Sequence, residues 1–435
     1  MLKYFVIFCL ALAPNDLVAD DLTAVKYRSD VKGSGYEWLE IQQRAAYGPA
    51  GRPLTLAELK RVIASLPPKE GWKTSDEILK TVKVEDLKLP TRYEDIGSYF
   101  LLENISQDVR RAAESIDAKT TADIEWGTLP TGEVNAAAQT VGADHLVILN
   151  RGVFAFLYGA LLTADRTVRI TKTSIDYAEA DFEDAIANST IRRDFADIIV
   201  AFSARRPPPN ITLATSRGAA FLSGQLTMTE RFIVGHEFAH FFAHDTDAGA
   251  RRLQVPEVSG GWRMLTSGAY DWAQELRADA QGYEIAMLVR SHESAQSPLI
   301  IDALDAYAPA LYFEIADAIE DATFCGGSGK GSRSELPEAT VRRLIGKAQN
   351  ALASQRSVDS KDPDVAALGC RLQSHPPAWL REEMLLSRIR RAVGTPPLRS
   401  FAEIDVARAL LNNAAKLAAL ARPEISARLQ GASIS

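Results

Sequence analysis

The chain has 435 residues, 46% hydrophobic and 24% charged, ordinary values for a globular protein with room for two domains or one domain with additions. Its formal net charge of −7 excludes a basic nucleic-acid surface, and no basic run or aromatic-basic interleaving supplies one locally. The longest uncharged apolar run outside the N-terminus, Gly152 to Ala164, is too short to cross a bilayer as a helix, so the processed chain is expected to need no membrane.

Residues 1–19 have the form of a secretory signal: Lys3, an apolar stretch from Tyr4 to Ala13, then Leu17-Val18-Ala19 ahead of Asp20 and Asp21. A periplasmic or secreted protein is expected. The alternative is a cytoplasmic one whose N-terminus is a buried helix or strand. Cys9 lies inside the apolar stretch, which leaves Cys325 and Cys370 in the mature chain. An even count fits one disulfide in an oxidising compartment.

Residues 20–130 read as an accessory region. Helical spacing occurs from Thr55 to Ser65, ahead of Pro67-Pro68, from Ser75 to Val82, and from Ile105 to Ile116. Residues 33–35 (Gly-Ser-Gly) read as a turn. The period then changes. Ala122 to Trp126 and His145 to Asn150 read as short strands, the second running into a helix rich in Phe, Leu and Ala. An exposed strand edge binds an extended peptide by strand addition; an ordinary core strand has the same pattern. A long amphipathic helix covers Tyr177 to Ala204 and stops at Pro207-Pro208-Pro209.

Thr215 to Gly224 reads as a short helix leading to a second one, Thr229 to about His244, with Thr227 and Glu230 spaced as a capping box at its start. This second helix carries His236-Glu237-Phe238-Ala239-His240. Histidines four apart share a helix face and can reach one metal ion. Two imidazoles plus a third protein ligand and a water make a catalytic zinc site. Glu237 stands where it can take a proton from that water. Phe232, Ile233, Val234, Phe238, Ala239, Phe241 and Phe242 leave the helix apolar on most sides, and histidines in such a helix need buried partners.

The third ligand is expected on another helix, Tyr270 to about Arg290. There Glu275 and Asp279 stand four apart on one face. Glu275 can complete a His₂Glu set, and Asp279 can accept the free ring N–H of a ligand histidine and fix its tautomer. Helices follow at Ile300 to Thr323, Pro337 to Gln355, Pro377 to Val393 and Phe401 to Ala421. Phe324 to Ser334 reads as a flexible linker. It lacks the Gly and Ser/Thr positions of a phosphate loop. Of the remaining histidines, His145 and His292 have no patterned neighbours, and His244 reads as a helix-terminal residue. His375 precedes Pro376-Pro377, which fix an extended turn and start a helix.

HEFAH, ELRAD and SHPPAWLREEMLLSRI, in that order over residues 145–393, resemble the gluzincin metallopeptidases. The likeness is to the family containing the CAAX prenyl endopeptidases and the heat-shock and periplasmic quality-control proteases. The resemblance implies one zinc on His236, His240 and Glu275, with Glu237 as base, and it places His375 near the cleft, with Arg388-Ile389 as the closing pair of its third block. His375 is then the best candidate for the oxyanion donor, the other readings being a fourth zinc ligand in a resting state and a plain turn residue. The expected fold is α+β and predominantly α: a zincin-like domain over residues 131–393, with a small sheet beside the HExxH helix and a helical second half, then a C-terminal helix in 394–435. The expected activity is hydrolysis of peptide bonds in a protein or peptide substrate. A zinc-containing chaperone or binding protein with a degenerate protease fold is the rival reading.

Overall fold

A sheet and the helices on both its faces carry the chain's most continuous apolar sequence. The structure, a computed structural model, describes residues 26–27, 34–48, 53, 88–167, 169–170, 175–176, 189–203, 216–242, 254–256, 262–264, 272–294, 302–355, 358, 362–371, 375–393 and 401–432. The signal-like segment, the helices expected at Thr55 to Ser65 and Ser75 to Val82, the acidic start of the Tyr177 helix, and His244 lie outside these residues.

A short parallel pairing joins β1 (Lys26–Tyr27) to β2 (Lys88–Leu89). The main sheet has the order β3-β5-β4, from β3 (Ile124–Leu129), β4 (Ala136–Val141) and β5 (Asp144–Asn150). Strand β3 runs parallel to β5, with Ile124 opposite His145, and β4 runs antiparallel to it, with Ala136 opposite Leu149. Side chains alternate across a strand. Val147 and Leu149 therefore enter the main core, while Leu146 and Ile148 meet Leu39 in a smaller cluster on the other face. That two-sided burial explains why His145 to Asn150 reads as an unbroken apolar run. Strand β4 had no sequence signal, because Ala-Ala-Ala has weak strand preference. Its pairing with β5 through a turn at Gly142, φ +64°, makes it a strand. Two further pairings, β6 (Arg169–Ile170) with β7 (Ile175–Asp176) and β8 (Gln254–Pro256) with β9 (Trp262–Met264), are antiparallel.

Helix α1 (Ser34–Tyr47) covers one face of the sheet, and α2 (Ile96–Ala122) lies on the other. Ser34 and Gly35 begin α1 instead of forming a turn, with the Gly35 N–H donated to the Asp144 carboxylate at 2.8 Å. Asp95 caps α2 by accepting the Ser98 N–H. Helices α3 (Arg151–Asp165) and α4 (Ser189–Ser203) complete that side. Helix α5 (Ser216–Phe242) is continuous, which corrects the expected two-helix reading and its capping box. Leu222, Leu226 and Met228 join Phe232 in one buried stripe, and Thr227 and Glu230 are themselves buried mid-helix. Burial of that stripe outweighs the local capping signal.

The second half is helical: α6 (Trp272–Ser294), α7 (Asp302–Cys325), α8 (Glu338–Ser354), the one-turn α9 (Pro363–Ala366), α10 (Ala378–Val393) and α11 (Phe401–Ala432). Helix α11 runs eleven residues past its expected end at Ala421 and through Pro423. Ala421 and Ile425 are buried on either side of the proline, so packing carries the helix across the missing hydrogen bond. Cys325 and Cys370 form a disulfide. The stretch after Cys325 is a built loop and not a free linker. Gly327, Gly329 and Gly331 hold positive φ, and the Gly329 N–H is donated to Asp321 at 2.8 Å. The molecule is thus mostly helical with a small three-stranded mixed sheet. Among the described residues no helix is long and apolar enough to cross a membrane.

Candidate metal centre

Helices α5 and α6 pack closely, and glycines meet where they cross. A Cβ on Gly282 would stand 2.6 Å from the His236 backbone nitrogen, and one on Gly235 would stand 3.1 Å from the Gly282 carbonyl oxygen. No side chain fits in that space. The close approach brings Glu275, two turns earlier on α6, against the histidine face of α5.

His236 and His240 present their rings edge to face with centroids 4.8 Å apart and their Nε2 atoms at 3.2 Å. Glu275 lies opposite, with Oε2 at 3.5 Å from His236 Nε2 and Oε1 at 3.8 Å from His240 Nε2. One ligand atom from each of the three residues falls within 4.8 Å of the others. His236, Glu237 and Glu275 are buried, and His240 nearly so. Glu275 Oε2 is a buried carboxylate oxygen with no hydrogen-bond partner among the described residues. Such an atom is costly unless something positive meets it. Two imidazole nitrogens and one carboxylate oxygen converging in this way could hold a metal ion.

A further layer of groups surrounds this set. Asp279, one turn after Glu275, accepts from His236 Nδ1 at 3.0 Å, which turns Nε2 toward the cluster. Arg381 of α10 grips Asp279 with two hydrogen bonds, Nη2 to Oδ1 at 2.6 Å and Nε to Oδ2 at 2.9 Å. Its guanidinium lies 4.7 Å over the ring of Phe313 on α7, and that ring packs edge-on to Phe232. Arg381 is thereby held in its plane by a carboxylate and on one face by a ring. The buried carboxylates of Glu275 and Asp279 both stand near this one guanidinium, at 3.9 and 2.6 Å.

The titration directions follow from the same crowding. Burial alone would lower the His236 imidazolium, but hydrogen bonds to Asp279 and Glu275 outweigh it and raise it to about 10. Burial pushes Glu237 up, against the pull of His236 and His240. Burial also acts to raise Asp279, yet Arg381 and the His236 hydrogen bond hold it below the usual carboxylate range. Glu275 is likewise held well below that range, its burial being outweighed by His375, His236 and His240. The set therefore separates the acids: Asp279 and Glu275 are shifted down and Glu237 up.

The fold brings His375 to this cluster, its Nε2 3.5 Å from Glu275 Oε1, with the side chain partly open to solvent. It stands outside the three-atom set. His145 and His292 are elsewhere. His145 bonds Thr140 in the sheet with its ring against Phe241, and His292 is exposed in the last turn of α6. Arg388 pairs with Glu284 on the surface at 2.8 Å, and Ile389 is a core residue. Sequence reasoning missed Arg381, Phe313 and the two glycines. The available signal was Asp279, whose buried charge needs a cation; which arginine supplies it is not written in the local pattern. Comparisons with protein families, with curated proteins and with solved structures find no match to this chain.

Proposed function

We propose that the protein is a zinc-dependent endopeptidase of the gluzincin kind, hydrolysing peptide bonds in a protein substrate. The observation that carries this reading is the convergence of two imidazole nitrogens and the buried Glu275 carboxylate on one point, with Glu237 buried beside them. Zinc held by His236, His240 and Glu275 would polarise the scissile carbonyl and acidify a bound water. Glu237 takes the proton from that water and returns it to the leaving amine. Asp279 and Arg381 hold His236 in one tautomer and orientation. His375, on the open side of Glu275, donates to the oxyanion.

Strand β4 stands last in the order β3-β5-β4 and packs against α5, the helix of the two histidines; a substrate bound by strand addition would lie along such a strand. The Cys325–Cys370 disulfide fits a periplasmic or secreted location. The test is cleavage of an unfolded protein substrate by the zinc-loaded mature protein and its Glu237→Gln variant. The variant should hold as much zinc and cleave about 10²- to 10⁴-fold more slowly. Equal cleavage by both, or none by the zinc-loaded wild type, would reject the reading.

A further inference from the structure

The segment carrying His375 and Arg381 is fastened to the rest of the molecule at points away from the metal ligands. The first fastening is Arg371, whose side chain is fully buried. Its Nη1 pairs with Asp317 and lies 4.0 Å from Glu320, and its Nη2 lies 3.5 Å from Asp321. All three carboxylates stand on the last turns of α7. Its Nε donates to the Lys330 carbonyl at 3.1 Å, so the same guanidinium also grips the loop after α7.

The second fastening is at the start of α10. The Ala378 N–H, one of the donors a helix start leaves free, is given to Glu320 Oε2 at 3.0 Å. The Trp379 indole N–H is donated to the Gly331 carbonyl at 3.3 Å. That loop is pressed under residue 368: a Cβ on Gly331 would stand 2.2 Å from the Leu368 oxygen. The Cys325–Cys370 disulfide closes the arrangement, joining the end of α7 to the residue before Arg371. Both sulfurs lie against the Lys330 carbonyl.

Three sequence positions separate Arg371 from His375. A fixed Arg371 therefore confines the His375 backbone to within about 14 Å, and Ala378 and Trp379 fix the other side. His375 lies between the two fastenings and Arg381 just after the second, on the first turn of α10. We propose that Arg371, locked by Cys325–Cys370, is a positioning residue that holds His375 and Arg381 against the metal ligands, so that reducing the disulfide lowers turnover without removing the metal. Arg371 acts through Glu320 and the 326–332 loop and touches none of the ligands in the described contacts. The chemistry is thiol–disulfide exchange. A dithiol supplies two electrons and two protons, the Sγ–Sγ bond breaks, two thiols form, and the reagent becomes a cyclic disulfide.

The turnover part rests on the peptidase reading; the positioning part does not. The test uses the zinc-loaded mature protein, oxidised or treated with a dithiol, together with Arg371→Gln. Amide hydrogen exchange, bound zinc, kcat and KM are measured on each. Loosening should raise exchange over residues 378–382 by about tenfold or more, leave residues 232–242 and 275–286 unchanged, and retain the zinc. It should lower kcat more than KM, and reoxidation should restore both exchange and kcat. Faster exchange confined to residues 325–332 and 366–371 would overturn the proposal, as would unchanged kcat in a protein whose 378–382 amides have loosened. If Arg371→Gln does not fold, the dithiol experiment on the folded protein decides alone. If the oxidised wild type cleaves nothing, the peptidase reading fails, and exchange over residues 378–382 still decides the positioning.

Discussion

At the scale of single residues, three groups stand around Glu275 with different duties. His236 and His240 face it as candidate fellow ligands, and His375 approaches its Oε1 at 3.5 Å with its side chain partly exposed. His375 lies outside the set of atoms that converge on one point. His375→Ala should leave zinc content and thermal stability near wild type while lowering kcat about 10²- to 10³-fold, the usual loss for one oxyanion donor. Steady-state kinetics with metal analysis checks this, and a coincident loss of zinc would make His375 a ligand instead. Arg381 shows how a charged residue is buried at all. It has a bidentate carboxylate in its plane and an aromatic face beneath it, and lysine offers neither geometry.

At the scale of elements, the site exists because α5 and α6 touch backbone to backbone at Gly235 and Gly282. Gly282→Ala places a methyl 2.6 Å from the His236 nitrogen, where no flexible side chain can yield. The helices must part. A loss of about 1–3 kcal/mol in stability is expected, with weaker zinc binding as Glu275 withdraws. Denaturant unfolding and a zinc competition assay read the two effects. A second element-scale case is Glu94, which ties the start of α2 to β3 by accepting the Thr128 N–H at 3.2 Å. Burial raises its carboxyl from the usual 4.5 to about 8, against the pull of the Thr128 and Gln43 hydrogen bonds. The raised acid is uncharged in the fold at moderate pH. Its contribution to stability is therefore complete below about pH 4.5 and is lost as pH rises through about 8. Glu94→Gln should unfold at a higher temperature than wild type at pH 9 and at nearly the same temperature at pH 5. An equal difference at both pH values would contradict this.

At the scale of the whole molecule, the ligands join two helices, and their outer supports come from two more. Phe313 on α7 and Arg381 on α10 complete the layer begun by α5 and α6. A metal bound only by the folded arrangement stabilises the whole of it by mass action, about 4 kcal/mol at a thousandfold excess over its Kd. Removing zinc with a chelator should therefore lower the unfolding midpoint of the whole chain by several degrees, and adding zinc back should restore it. Calorimetry of the two forms checks this. An unchanged midpoint would mean that the cluster holds no tightly bound ion.

The sequence by itself determined the chemistry and the local shape. Histidines at 236 and 240 share a face because a helix turns every 3.6 residues, and Glu275 and Asp279 share one for the same reason. The short strand from His145 to Asn150 and the pair Cys325 and Cys370 were equally legible, since each is a local run or a simple count. The tertiary structure decided which faces meet. Arg381 stands 145 residues from His236, and nothing near it in sequence distinguishes it from the surface-paired Arg388. Strand β4 is a strand only because β5 pairs with it, and α5 runs unbroken through Thr227 only because Leu222, Leu226 and Phe232 are buried in one stripe. Local pattern sets the face an element shows. The partner of that face is set by burial and close approach between residues far apart in the chain.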